Sequence, residues 1–239
     1  MFVLGGSTTT SVSAIVNSAS YQPGGAPGME MGVFGTNLAN GKPTTATGDP
    51  LPYTTAGVSV TVNGLAAPVL YASPTFLNIQ IPYAAGAGPA VLSVNNNGQI
   101  AGYQFQIAPS APGVFADANG NLVPGGSVAQ GGIATLYMTG AGEVSPAEKT
   151  AYAPSAAANP STLPKPVLPL EVTVGGVPCF IEFTGLAPTL FGTTVVNFLV
   201  PASVPVGVQP LVVTVNGVGS KPVNLMVTAP AVASSSGGN

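Results

Sequence analysis

The chain has 239 residues, enough for one large domain or two ordinary ones, and 46% of them are hydrophobic. Only 5% are charged, with four Lys, no Arg, no His and a net charge of −3. No basic patch for nucleic acid is available, and neither the strongly acidic composition of a disordered tail nor a run of about 20 apolar residues for a membrane helix occurs.

In chain order, the first stretch, Met1-Phe2-Val3-Leu4-Gly5-Gly6, lacks the basic start of a signal peptide. Residues 7–16 are β-prone and uncharged, and they precede the first repeated pattern. Short alternating runs follow near 12–17, 29–35, 57–63, 67–72, 75–81, 89–95 and 99–107. A second set falls near 113–117, 132–139, 169–175, 177–184, 193–200, 209–216 and 221–228. Asn63-Gly64, Asn97-Gly98, Gly175-Gly176 and Asn216-Gly217 separate several of these runs as tight hairpin turns. Residues 147–158 come nearest to a helical pattern, but Pro154 and the small residues read as a loop.

The two sets match each other. Val58-Ser59-Val60-Thr61-Val62-Asn63-Gly64 answers Leu170-Glu171-Val172-Thr173-Val174-Gly175-Gly176, and Pro68-Val69-Leu70-Tyr71 answers Pro178-Cys179-Phe180-Ile181. Asn78-Ile79-Gln80-Ile81-Pro82 answers Asn197-Phe198-Leu199-Val200-Pro201. A duplicated unit of roughly 100 residues, made of about seven short strands, has the size of a sandwich domain. The expected fold is therefore all-β, with two tandem immunoglobulin-like β-sandwiches. The expected division is an N-terminal extension at 1–12, sandwich 1 at 13–108, sandwich 2 at 109–230 and a polar tail at 231–239. Two prolines within residues 108–113 suggest a semi-rigid hinge between the sandwiches.

Asn17-Ser18-Ala19-Ser20-Tyr21-Gln22-Pro23-Gly24, Leu70-Tyr71-Ala72-Ser73-Pro74, Ala111-Pro112-Gly113-Val114-Phe115 and Leu136-Tyr137-Met138-Thr139-Gly140 also carry a family likeness. With the runs above they resemble the uncharacterised C-terminal domain family abundant in Solibacter and other acidobacteria, and the IPT/TIG branch of immunoglobulin-like folds. That resemblance spans about residues 13–228. It implies a β-sandwich fold and an extracellular or cell-surface setting, and it brings no catalytic residues.

Chemistry is hard to place in this chain. The absence of His removes the commonest general base and most zinc sites. The single Cys179 sits in an apolar run and reads as a small buried hydrophobe. The seven carboxylates are scattered. Asp117-Ala118-Asn119-Gly120-Asn121 alternates oxygen ligands as calcium loops do, yet reads as an ordinary turn. No enzyme activity, cofactor or metal is expected.

The expected role is an extracellular structural subunit that assembles with copies of itself into a surface filament or layer. The rival is a monomeric cell-surface adhesion or binding module for a glycan or protein. Assembly would use a donated N-terminal strand, with Phe2, Val3, Leu4, Thr8, Thr10 and Val12 as its contact residues.

Overall fold

The computed structural model describes residues 9–230. Its first ten strands are β1 (Ser11–Asn17), β2 (Glu30–Thr36), β3 (Thr44–Thr45), β4 (Thr54–Thr55), β5 (Val58–Val62), β6 (Leu65–Ala67), β7 (Val69–Ala72), β8 (Phe76–Gln80), β9 (Gly88–Asn96) and β10 (Gln99–Ile107). They form two antiparallel sheets, ordered β1-β2-β8-β7-β3 and β10-β9-β5-β4, with β6 attached to β5. Alternation sets the packing: Val58, Val60 and Val62 of β5 face Leu92 and Val94 of β9 into one core, where Val33, Leu77 and Ile79 meet them from the opposing sheet. Each such side chain contributes about 1.5–3 kcal/mol on leaving water.

Eleven more strands follow. They are β11 (Gly113–Val114), β12 (Ser127–Ala129), β13 (Ile133–Thr139), β14 (Val144–Ser145), β15 (Lys165–Pro166), β16 (Leu170–Val174), β17 (Val177–Leu186), β18 (Thr193–Leu199), β19 (Gly207–Val215), β20 (Val218–Gly219) and β21 (Val223–Thr228). Eight of them run as one sheet, β11-β13-β18-β17-β16-β19-β21-β12, which folds around a second core of Leu136, Met138, Val172, Phe198, Leu211, Val213 and Leu225. β17 turns the corner, its first residues pairing with β16 and the rest with β18. In the first half the same strand is broken at Pro68, which separates β6 from β7.

Asn63, Asn97 and Asn216 adopt φ near +50°, each followed by a glycine of positive φ, as two-residue hairpins require. Among the described residues the only helical elements are two single 3-10 turns, Tyr83–Ala85 and Pro160–Thr162. The chain is thus an all-β protein of antiparallel sheets arranged as tandem immunoglobulin-like sandwiches.

Residues 108–113 differ from the hinge that their prolines suggest. Ala108 N donates to Gly25 O and Ala111 N to Gly140 O, while Ser110 Oγ donates to Val215 O. Asn17 Nδ2 donates to Ala111 O at 2.8 Å. Proline fixes the local φ, but these bonds hold the segment to both sandwiches, and Ser110 is buried. The connector is a welded seam.

Candidate interaction surfaces

Three features stand out: the junction between the sandwiches, an apolar row on the second sandwich, and a sheet edge on the first that pairs with no further strand among the described residues. At the junction β2 begins with Glu30, against the end of β13 and the start of β18. Glu30 N donates to Thr139 Oγ1 at 2.9 Å, and Thr139 Oγ1 donates to Gly192 O at 2.7 Å. The Glu30 carboxyl accepts from Thr193 Oγ1 at 2.9 Å and from Asn78 Nδ2 at 3.0 Å. Glu30 is half-buried as a residue, and its carboxyl is largely enclosed. Its removal from water raises its pKa above the usual carboxylate value, and the bonds from Asn78 and Thr193 pull it partly back.

The junction also depends on close backbone approach. Gly192, at φ +61°, lies so near Gly28 that a Cβ would stand 2.3 Å from the Gly28 oxygen. Residues 146–164 form a strap over the seam, which the sequence does not announce. Ala151 N donates to Gln80 Oε1, Leu51 N donates to Ala151 O, and Tyr83 N donates to Thr150 Oγ1. Burial raises the Tyr83 pKa above its ordinary value, with the nearby Glu148 charge adding to the effect.

The strap shapes the outer face of the sheet below it. A Cβ on Gly185 would meet Leu163, so this end of β17 is already covered. At the other end, away from the junction, Ile133, Leu199 and Phe180 stand in register across β13, β18 and β17. Residues paired in this way point to the same side of a sheet. Phe180 is 70% exposed and Ile133 56%, while Leu199 is half-buried between them. One row further in are Thr135 and Asn197, joined by a 2.9 Å hydrogen bond, and Phe183 with Lys165 Nζ 6.0 Å from its ring centroid.

The third feature is β10. Its nine residues carry no charge and no proline, and among the described residues β9 is the one strand that pairs with it, with a single further bridge from Gly25 to Ile107. The two-residue turn Asn97-Gly98 makes Asn96 and Gln99 the first hydrogen-bonded pair. Ile100, Gly102 and Gln104 therefore turn their N–H and C=O groups outward.

Of the assembly residues read from the sequence, Phe2, Val3, Leu4 and Thr8 lie outside the described residues. Thr10 and Val12 are engaged by their own sandwich. Thr10 Oγ1 donates to Asn37 O, Thr10 N donates to Gln99 Oε1, and Val12 pairs with Gly35 and packs against the first core. Cys179 is half-buried against the second core, and burial pushes its thiol pKa up while a backbone hydrogen bond at Val174 opposes this. The carboxylate of Asp117 accepts from Asn119 N, Asn121 N and Asn121 Nδ2, the bonds of a closed turn. Those bonds, led by the backbone of Asn121, lower its pKa. Among the described residues no three metal-ligating side chains come together, and no helix is long and apolar enough to cross a membrane.

No family model and no curated protein matches the chain. Among solved structures it is similar to the extracellular region of plexin A4, with 11% identity and a TM-score of 0.31 over 95% of this chain and 19% of that one. It is also similar to domains 4–9 of the surface layer protein SbsC, with 13% identity and a TM-score of 0.26 over 92% and 29%. Invasin, a bacterial integrin-binding protein, shows 16% identity and a TM-score of 0.25 over 91% and 39%. The chain thus spans about a fifth of the plexin region. Likenesses this distant carry no functional inference, and the sandwich architecture rests on the strand pairing above. No match to a specific family accompanies the acidobacterial resemblance read from the sequence.

Proposed function

We propose that this chain is a non-enzymatic cell-surface binding module, two sandwiches locked end to end that present an apolar face to a protein partner. The observation that carries this reading is the row Ile133–Leu199–Phe180, left open at the end of the second sandwich farthest from the junction. An exposed aromatic flanked by aliphatics on a rigid sheet is the composition of a protein-contact core. A glycan platform fits less well, because the chain has no Trp and the polar groups beside the row, Thr135 and Asn197, already bond each other.

Adhesion tests this reading. Beads coated with the wild-type chain should bind whole cells of the source organism, and beads carrying Phe180→Asp with Ile133→Asp should lose at least tenfold of that binding. Equal binding by the double variant would contradict the reading, provided circular dichroism shows both chains equally folded.

A second reading, a subunit of a surface filament or layer built from copies of itself, is favoured by one placement. The described chain starts at Thr9, at the end of the first sandwich opposite the junction, while the apolar row lies at the far end of the second. A donated segment ending before Thr10 would then join unlike ends and leave the contact open to repetition. Negative-stain microscopy separates the two readings: continuous fibres favour the subunit, and discrete particles the binding module.

A further inference from the structure

Two clefts meet at the seam, where the loop after β1 faces the start of β21. The larger, of about 560 Å³, is walled by Ser20 and Gln22 from the first sandwich, Ser110 from the connector, and Gly219 and Lys221 from the second. The smaller, of about 260 Å³, shares Ser20 and Lys221 and runs past Tyr21 to Asp117. Joined at those shared residues, they make a groove within the range of about 300–1,000 Å³ that holds small ligands.

Tyr21 lines this groove at a conformational cost. Its φ is +56°, and it is the one aromatic residue among those described whose φ is positive. A bulky side chain is an uncommon and strained occupant of that region. The loop imposes the strain: Asn17 N donates to Gln22 O, and Tyr21 N donates to Asn17 O. Asn17 Oδ1 accepts from Ala19 N and Ser20 N, while Asn17 Nδ2 reaches Ala111 O and ties the loop to the connector. Asparagine or glycine would take this backbone more readily. The position instead holds a tyrosine that is 62% exposed, so packing of the ring returns little for the strain.

The charges beside it are sparse and ordered. Lys221 is one of four lysines in a chain without arginine, and among the described residues no carboxylate pairs with it. The Gln22 side chain likewise has no hydrogen bond among the described residues, unlike the bonded pair beside the Phe180 row. Lys221 is the one charged residue lining the larger cleft. In the smaller cleft Asp117 already accepts three bonds from its own turn. A carboxylate offers about four acceptor sites, which leaves Asp117 room for one incoming hydroxyl.

We propose that this groove binds an acidic polysaccharide, a chain of sugars bearing carboxylates. One sugar carboxylate meets Lys221 in the larger cleft, with Gln22 bonding its hydroxyls. The next ring lays its C–H face on Tyr21 in the smaller cleft and gives a hydroxyl to Asp117. An acidic peptide fits less well, because peptides are gripped by strand edges or helix grooves and this groove is walled mainly by loops. Both sandwiches supply walls, so the welded seam holds the groove in shape before any ligand arrives. The site lies apart from the row Ile133–Leu199–Phe180 and does not depend on what that row binds.

The test is an NMR titration of the full chain with tetragalacturonate, using maltotetraose as the neutral control and tetraglutamate as the peptide control. Tetragalacturonate should shift the amides of residues 17–22 and 219–221, with an affinity at least tenfold above either control. Lys221→Gln, an exposed change, should remove the preference over maltotetraose. Tyr21→Asn, which suits the left-handed backbone, should hold or raise the melting temperature while weakening binding at least tenfold. The inference is overturned if tetragalacturonate leaves those amides unmoved, if tetraglutamate binds as tightly, or if both variants bind like the wild type. A lower melting temperature for Tyr21→Asn would make the ring a packing residue and overturn it as well. The bead assay on Phe180 and Ile133 judges the binding-module reading separately.

Discussion

Taking a carboxylate out of water makes its charge expensive, and Glu30 carries that expense at the seam between the sandwiches. Because burial raises its pKa in the folded chain above that in the unfolded chain, folding is favoured when the group is protonated. Its contribution to stability is fully present below the unfolded value, near 4.5, and is lost as pH rises through the folded value. The melting temperature should therefore climb as pH falls from 7 towards 5. Glu30→Gln should flatten that dependence. A wild-type melting temperature that drops steadily over this interval would contradict the assignment. Asp117 works in the opposite sense: its pKa is lowered, so its contribution is lost only as pH falls through that depressed value.

Gly192 is a second residue-scale test. Any other residue there would occupy the left-handed region and place a Cβ against the Gly28 oxygen. Gly192→Ala should cost about 2–4 kcal/mol, combining backbone strain with a clash at the seam. Chemical denaturation measures it directly. Cys179 should label slowly with a thiol reagent under native conditions, since burial raises its pKa and reduces the thiolate fraction.

At the scale of elements, the strands that alternate were legible in the sequence and those that only bridge were not. β10 spans Gln99–Ile107, the run expected from its alternation, and β5, β16 and β19 agree within two residues at each end. Their inward valines and the Asn-Gly turns are local signals. The two-residue strands β3, β4, β14 and β15, and the cover strand β12, carry no period to read, since their pairing is imposed by distant partners. The hinge expected at residues 108–113 failed for a related reason. Proline content reports local stiffness, while the seam is made by Asn17, Gly140 and Val215, far away in sequence.

The Ile133–Leu199–Phe180 row was hidden too, because its members belong to three strands and only register brings them together. The strap at residues 146–164 lacks periodicity and shows itself only in its contacts. Gln80→Ala tests it by leaving Ala151 N, which is buried, without its acceptor. The expected loss is about 1–3 kcal/mol, together with faster proteolysis within the strap. Unchanged cleavage would remove the strap's role in holding the seam.

On the scale of the whole molecule, few charges and a welded junction act together. With 5% charged residues, long-range repulsion between copies is weak, and stability should change little between low and high salt. The seam couples the sandwiches through Glu30, Thr139, Thr193, Asn17 and the strap, whose hydrogen bonds cross from one side to the other. Such a seam transmits orientation, so the far row is held at a fixed attitude to the first sandwich.

Backbone nitrogen-15 relaxation measures that coupling most directly. If the two sandwiches form one rigid body, amides in β5 and β9 and those in β16 and β19 will fit a single rotational diffusion tensor. Glu30→Ala with Gln80→Ala should begin to separate them. Two distinct correlation times in the wild-type chain, one for each sandwich, would contradict the welded junction and restore the hinge.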